Sequence, residues 1–299
     1  MSTRLRIFRV DAFTTTPCTG NPAAVILDAD SLDEPLMQSI TRELGGVDAA
    51  FVCRPDAADH DLRVRFFTPR GETGLVGHAT VAVHAVLGAP GSPQPRRQKQ
   101  RGGIVEVERL EGPAGTRYAF SQSPPMLLGA PPADRLAAML AALGLDGAEL
   151  DPACPAAMAG TGGSRALIGL RSGATLSRLR PDLTRLAAMS STGGPAGFFV
   201  YSLAPSIADC DSEARMFCPA LGIPEDPVSG NAHAMLAMQL HAVGRMPQRA
   251  GAMELTGRQG HHVGRPGVLT VRLAAGTAGV QKVRVAGHAR RIFDATLEI

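Results

Sequence analysis

Three polar residues stand where they could move a proton: Asp48, His78 and Asp226. Asp48 follows Gly45-Gly46-Val47 and directly precedes the apolar run Ala49 to Val52. A carboxylate that leads into a buried strand can be partly desolvated, which raises its pKa and makes it a usable general acid and base. Structural roles are the alternative, because both aspartates could be turn residues and His78 could cap its own helix.

His78 and Asp226 belong to two copies of one pattern. Both copies contain an F-x-P segment, an acidic loop, a glycine followed by a hydrogen-bonding residue, and apolar residues at helical spacing. The copies run through Phe67-Thr68-Pro69, Glu72 and Gly77-His78-Ala79-Thr80, and through Phe217-Cys218-Pro219, Glu225-Asp226 and Gly230-Asn231-Ala232-His233. Each copy therefore predicts an extended segment, a polar loop and a helix that begins at the glycine.

The two predicted helix starts could bind an anion. A helix N-terminus has unpaired backbone N–H groups and partial positive charge, and a glycine there lets a ligand approach the backbone. Either loop alone could be an ordinary strand-to-helix turn, but the matched pair favours two helices that hold one small carboxylate. The expected substrate-binding residues are Gly77, Ala79, Ser229, Gly230, Asn231 and Ala232.

Composition narrows the class of protein. The chain has 299 residues, of which 44% are hydrophobic and 19% charged, with a net charge of +3. So small a charge does not favour nucleic acid as a partner, and no apolar run reaches the ~18 residues of a membrane span. The basic stretch Arg96 to Arg101 follows three prolines and predicts an exposed loop. Neither nucleotide-binding glycine motifs nor metal-ligand spacing occur, so we expect no cofactor and no metal.

The five cysteines form no C-x-x-C pair, which argues against zinc or iron–sulfur ligation. An odd number of cysteines, with no apolar leader segment, predicts a reducing compartment. We therefore expect a cytoplasmic protein. Its expected partner is a small carboxylate-bearing substrate rather than nucleic acid or a membrane. A homodimer is a further expectation.

Apolar spacing and turn residues predict similar element orders in the two halves of an α+β chain. Ser31 is the predicted N-cap of a helix that ends at Gly45-Gly46, with Glu34 as its capping-box partner. The proline-rich segment 123–132 predicts a linker, which divides the chain into an N-terminal lobe, 1–122, and a C-terminal lobe, 123–299. Predicted strands lie at 4–13, 23–27, 49–54, 61–67, 104–110, 116–122, 164–170, 197–203, 215–217, 268–273, 280–286 and 289–298, and a further helix at 133–143.

Several linked motifs resemble those of the PhzF-like isomerase family, which has the diaminopimelate epimerase fold. The motifs that carry the resemblance are Val10-Asp11-Ala12-Phe13, Gly20-Asn21-Pro22-Ala23-Ala24-Val25, Phe67-Thr68-Pro69, Gly77-His78-Ala79-Thr80, Arg215-Met216-Phe217, Glu225-Asp226-Pro227-Val228-Ser229-Gly230-Asn231-Ala232 and Gly264-Arg265-Pro266. The resemblance covers almost the full length. It implies two pseudo-symmetric lobes, each a curved sheet around a central helix, with a cleft between them.

The resemblance also implies chemistry: a cofactor-free isomerase whose carboxylate moves a proton across one face of a small unsaturated amino acid. Family members usually have a glutamate where this chain has Asp48, and the shorter side chain matters because small misplacements cost rate. His78 is implied to contact the substrate, and Asp226 to hold the substrate's polar group or to orient His78. The expected reaction is an allylic double-bond shift in a small carboxylated amine, in secondary metabolism.

Two other functions stay open at this point. Epimerases of the same fold that use two thiols place a cysteine before each helix glycine, where this chain has Val76 and Ser229. An epimerase would therefore need a different acid–base pair, such as Asp48 and His78. The non-enzymatic alternative is a small-anion binding protein that lost its chemistry when the glutamate became Asp48.

Overall fold

Strands dominate the computed structural model, which describes residues 4–88, 91, 94–160, 163–277 and 279–299. In these ranges the first half contains β1 (Arg4–Ala12), β2 (Asn21–Ile26), α1 (Glu34–Glu43), β3 (Asp48–Cys53), β4 (Leu62–Thr68), β5 (Gly71–Thr73), α2 (Gly77–Leu87), β6 (Arg96–Gln100), β7 (Gly103–Leu110) and β8 (Arg117–Gln122). The second half contains β9 (Met126–Gly129), α3 (Ala133–Leu143), β10 (Ala157–Gly160), β11 (Ser164–Leu170), α4 (Gly173–Arg178), α5 (Leu183–Ser191), β12 (Gly197–Ser202), β13 (Ser212–Cys218), β14 (Ile223–Asp226), α6 (Gly230–Ala242), β15 (Gln248–Arg249), β16 (Ala252–Gln259), β17 (Gly267–Gly276) and β18 (Gly279–Glu298).

Packing divides these elements into two units. The first unit comprises Met1–Gln122 together with Val285–Ile299, and the second comprises Ser123–Arg284. The sequence had assigned all of 123–299 to one lobe, and had split the last strand in two. Instead β18 is continuous, and its second part pairs antiparallel with β1, from Ala12 opposite Ala289 to Arg4 opposite Glu298. Backbone pairing of this length joins the chain terminus to the first unit.

Strands of the first unit close into a ring around α2. In order around the ring, β1, β2, β3, β4, β6, β7 and β8 pair with their neighbours, and β18 pairs with both β8 and β1. Inside the ring, Ala79, Ala82 and Val83 of α2 pack against strand residues such as Val25 and Val64. A helix enclosed in this way is buried on most sides, and α2 is accordingly apolar apart from His78, Thr80 and His84.

The helix α1 covers the outer face of the same ring. Met37 and Ile40 are buried against Phe51 of β3 and Phe67 of β4. The prediction of a helix here is confirmed, but Ser31 is not its N-cap. Asp33 has that role, because its carboxylate accepts a hydrogen bond from the N–H of Leu36 at 2.9 Å.

The second unit repeats this arrangement of strands. In both units a pair of parallel strands leads to an antiparallel hairpin: β2–β3 leads to β4–β5 in the first unit, and β11–β12 leads to β13–β14 in the second. The first strand of each hairpin also pairs in parallel with a later strand, β4 with β6 and β13 with β16. In the second unit α6 contacts β9, β10, β11 and β17 and is buried along most of its length, while α3, α4 and α5 cover the outer face. Within the described residues, no helix has both the length and the apolar character that crossing a membrane requires.

The basic stretch Arg96 to Arg101 is not an exposed loop, as the sequence had predicted, but contains the strand β6. Alternate residues face opposite sides of a strand, so Gln98 and Gln100 point inward and are buried. The Gln98 amide donates to Gln100 Oε1 at 2.9 Å, and Gln98 Oε1 lies 3.1 Å from Nε2 of the buried His84. These hydrogen bonds pair the polar side chains on the buried face of β6. The basic side chains of the strand lie on its outer face.

Candidate active site

Strand register brings Asp48 and His78 together at one end of the first unit. Asp48 is the first residue of β3 and pairs with Ala23 near the start of β2, while its neighbour Ala49 pairs with Phe67 near the end of β4. His78 is the second residue of α2, the helix inside the ring. The starts of β3 and α2 therefore lie at the same end of the ring.

Asp48 Oδ2 lies 3.6 Å from Nε2 of His78. The side chains are 16% and 13% exposed, so both are mostly enclosed yet open to a ligand. Burial lowers the pKa of His78 to about 4, and its imidazole is therefore neutral at pH 7. Because 3.6 Å exceeds a normal hydrogen bond, the carboxylate and the ring nitrogen are neighbours that can each bind the same small molecule.

At the start of α2, the N-cap Val76 has no side-chain acceptor for the first N–H groups of the helix. The N–H groups of the first turn, at Gly77 to Ala79, thus receive no cap from that residue, which suits an anion site. Gly77 has a packing role that the sequence did not indicate. A Cβ at this position would lie 2.8 Å from Cζ of Phe120, so only glycine lets the helix start approach β8.

The start of α6 is built differently. Ser229 is its N-cap, and the Ser229 hydroxyl accepts a hydrogen bond from the N–H of Ala232 at 3.3 Å. Ser229 and Ala232, both expected to bind substrate, therefore also hold the first turn of the helix in shape. Gly230 and Asn231 lie between them at the N-terminus, with Gly230 buried and Asn231 half-buried.

Asp226 ends β14 in the second unit, and its half-buried side chain lies three residues before the N-cap Ser229. A residue that sequence reasoning missed, Gln259 at the end of β16, holds this loop. Its amide donates to the carbonyl of Asp226 at 2.5 Å and accepts from the N–H of Ser229 at 3.1 Å. Nothing in the local sequence marked Gln259, which is 30 residues from Ser229.

The acidic residues of the repeated loops form internal ion pairs. Arg65 Nε and Nη2 donate to the two carboxylate oxygens of Glu72 at 2.8 Å each, and Arg215 donates in the same way to Glu225 at 3.0 and 2.7 Å. Each guanidinium also lies over the phenylalanine two residues later, 5.2 Å from the Phe67 ring centre and 5.0 Å from that of Phe217. Both copies of the sequence pattern extend two residues upstream, from F-x-P to R-x-F-x-P. This longer pattern would have indicated that each arginine pairs with the glutamate of its own loop. Glu72 and Glu225 thus fix the hairpins that precede α2 and α6.

Buried histidines predict a pH-dependent stability. Burial lowers the pKa of both His84 and His233 to about 4, from an ordinary 6.5. Because the unfolded chain takes up these protons first, the stabilising contribution is complete above pH 6.5 and is lost as the pH falls towards 4. Between pH 7 and pH 5 the free energy of unfolding should fall by about 2 kcal/mol per histidine, as measured by urea denaturation.

The variant His84→Gln is the control for this expectation. Glutamine does not titrate, and its amide can still donate to Gln98 Oε1, the partner of His84 in the native protein. The variant should lose about 2 kcal/mol less than the wild type between the two pH values. An equal loss in both proteins would show that His84 is not among the groups responsible.

The cysteines do not form the thiol pair of an epimerase. Val76 and Ser229, the residues before the two helix glycines, are the N-caps of α2 and α6 and so occupy equivalent places. Cys218 lies in β13, where burial raises the pKa of its thiol to about 12, and Cys53 is buried at the far end of β3 from Asp48. Neither thiol is therefore suited to remove a proton at a helix start.

Comparisons with known proteins identify the family of this chain. The family model described as "Phenazine biosynthesis-like protein" (PhzC-PhzF) matches residues 10–295. The "Uncharacterized isomerase YddE" of Escherichia coli K12 is 35% identical over 294 residues, which cover 97% of each chain. The trans-2,3-dihydro-3-hydroxyanthranilate isomerase of Pseudomonas aeruginosa is 31% identical over 288 residues, which cover 93% of this chain and 94% of that protein.

A solved structure shows the same fold. The phenazine biosynthesis protein of the PhzF family from Bacillus anthracis superposes with a TM-score of 0.87 at 24% identity, covering 99% of this chain and 100% of that one. The mixed α/β content and the sheet-dominated barrel around α2 are thus those of this fold. Family match, named relatives and fold all lead to one conclusion: the chain belongs to the PhzF family and is an isomerase.

Proposed function

We propose that this isomerase catalyses an allylic proton shift in a small carboxylated amine, with Asp48 as the general acid and base. The carboxylate removes a proton from an allylic carbon, the C–H electrons move into the conjugated system, and the double bond migrates. The protonated Asp48, whose side chain is 16% exposed and so exchanges its proton with solvent, then delivers a proton to the distal carbon of that system, so that no group is lost or gained. His78 donates a hydrogen bond that stabilises the negative charge on the intermediate.

The observation that carries this proposal is the 3.6 Å between Asp48 Oδ2 and His78 Nε2. Epimerisation requires a base on one face of a carbon and an acid on the other, each about 3 Å from that carbon, so the two groups would stand about 6 Å apart. At 3.6 Å no carbon fits between Asp48 and His78. They are therefore suited to act on the same face of a substrate, as a suprafacial proton shift requires.

The neutral state of His78 supports the same reaction. A protonated imidazole beside Asp48 would hold the carboxylate in an ion pair and lower its basicity. Because burial lowers the pKa of His78 to about 4, the ring stays neutral at pH 7, with one N–H donor and one acceptor nitrogen. Asp48 is then available as a base, and His78 as an uncharged hydrogen-bond partner for the substrate.

The substrate's carboxylate and amine would be bound by the paired motifs. We propose that the N-termini of α2 and α6 serve as anion sites for the substrate. Each helix start carries partial positive charge, and the start of α2 is without a side-chain cap. Asp226 would accept a hydrogen bond from the amine, with Gly230 and Asn231 beside it at the start of α6.

Isotope labelling in D₂O tests the reaction. The first probe is trans-2,3-dihydro-3-hydroxyanthranilate, the substrate in the name of the Pseudomonas relative. The hydroxyl-bearing carbon of this probe is allylic and conjugated through the diene to the carboxylate, so we expect NMR to show that it loses its hydrogen and becomes trigonal, with deuterium on the distal carbon that gains a proton and none at the amine-bearing stereocentre. Label at an inverted stereocentre would establish an epimerase instead. Binding of the probe without any label or product would favour the silent anion-binding protein.

A further inference from the structure

Gln259 joins two backbone groups on either side of the loop between β14 and α6. Its Nε2 donates to the Asp226 carbonyl at 2.5 Å, and its Oε1 accepts from the Ser229 N–H at 3.1 Å. The side chain is 1% exposed, so water does not replace it easily. One amide therefore fixes both ends of the segment that carries the Asp226 carboxylate to the first turn of α6.

Only a neutral amide of this length satisfies both backbone groups. An ionised glutamate could accept from the Ser229 N–H but could not donate to the Asp226 carbonyl, and leucine could do neither. Leaving either backbone group buried and unpaired costs free energy and favours another loop conformation. The neighbour Gly260 fits the same arrangement, since a Cβ there would lie 2.7 Å from the carbonyl oxygen of Pro227 in that loop.

We propose that Gln259 is a positioning residue for the isomerase reaction: it sets the distance between Asp226 and the N-terminus of α6. The inference rests on the proposed function, in which those two elements bind the amine and the carboxylate of the substrate. Gln259 acts through the backbone and touches no reacting atom. A displacement of the loop by about 1 Å is enough to cost a hundredfold in rate.

Gln239 provides a matched control in the same unit. It is a buried glutamine whose Nε2 donates to the Pro155 carbonyl at 2.6 Å and whose Oε1 accepts from the Tyr201 hydroxyl at 3.2 Å. It lies near the C-terminal end of α6, about 15 Å along the helix from Ser229. Gln259→Leu and Gln239→Leu therefore each remove one donated and one accepted hydrogen bond, but only the first removes them from the Asp226 loop.

The experiment combines turnover of trans-2,3-dihydro-3-hydroxyanthranilate with hydrogen–deuterium exchange of the peptide that covers 226–232. Gln259→Leu should lower kcat/KM about ten- to a hundredfold, with a raised KM, and should speed amide exchange in that peptide. Gln239→Leu should stay within about threefold of the wild type and leave the exchange unchanged. Equal effects of the two variants on turnover and on exchange would overturn the proposal.

Gln259→Glu adds a readout that a purely structural role would not change. Burial at this 1% exposed position raises the pKa of a glutamate, so at pH 8 the ionised side chain should behave like leucine, whereas at pH 5.5 a larger fraction is protonated and again has one donor and one acceptor. The activity of Gln259→Glu relative to the wild type should therefore recover on acidification, while that of Gln259→Leu should not; a constant ratio for both contradicts the proposal.

If Gln259→Leu does not fold, the activity of Gln259→Glu relative to the wild type at the two pH values tests the proposal by itself. If the wild type does not convert the probe, the proposed function fails, and amide exchange in Gln259→Glu at the two pH values still tests the positioning role.

Discussion

Asp48→Asn is expected to abolish turnover while leaving the fold and ligand binding intact. The amide has nearly the size of the carboxylate but cannot accept and return a proton. General acid–base catalysis contributes about a hundred- to ten-thousandfold, and the loss should reach at least the upper end because proton transfer is itself the reaction. Because asparagine has nearly the same size and shape as aspartate, the substitution leaves no cavity and adds no volume, and the melting temperature should change little. Product formation by NMR and ligand affinity by calorimetry measure the two effects separately.

Asp48→Glu shows whether the shorter carboxylate is matched to its substrate. If Asp48 only replaces the usual family glutamate, the longer side chain should preserve or improve activity on trans-2,3-dihydro-3-hydroxyanthranilate. If the extra space accommodates a bulkier substrate, glutamate should slow the native reaction by crowding the site. Wild-type turnover by Asp48→Asn would rule out the mechanism, whichever result Asp48→Glu gives.

Arg215→Ala is expected to destabilise the protein by about 3–5 kcal/mol, because it leaves the buried Glu225 carboxylate without its partner. The two side chains are 9% and 11% exposed and share two hydrogen bonds. Arg215 also donates to the carbonyls of Leu176 and Leu179 at 2.9 and 3.2 Å, and these acceptors would lose that donor. Chemical denaturation, compared with the wild type, measures the loss.

Arg272→Ala is the matched control for Arg215→Ala. Arg272 donates through Nε and Nη2 to Glu254 at 3.0 and 2.7 Å, similar distances in the same unit, but its side chain is 54% exposed. A solvated pair of this kind contributes at most about 1 kcal/mol. Equal losses in the two variants would show that burial does not make the Arg215–Glu225 pair important. The double variant Arg215→Met with Glu225→Gln should recover part of the lost stability, since no unpaired charge remains.

Local sequence determined several of the elements and their repetition. The apolar spacing after Gly77 and Gly230 predicted α2 and α6, and the segment 133–143 predicted α3 with the bounds that the structure has. These predictions succeeded because helix formation and termination depend on residues a few positions apart. The same locality gave Asp48, His78 and Asp226 as candidates, since each stands beside a recognisable turn or helix start.

Tertiary structure decided everything that depends on pairing between distant segments. Sequence alone could not place Asp48 3.6 Å from His78, because that distance follows from the register of β2, β3 and β4 and from the enclosure of α2. Nor could it assign the end of β18 to the first unit, or turn the basic stretch around Gln98 into a strand with buried glutamines. Strand pairing and burial depend on residues that are far apart in the chain. The neutral state of His78 and the hydrogen bonds from Gln259 to the Asp226 loop therefore arise only in the folded protein.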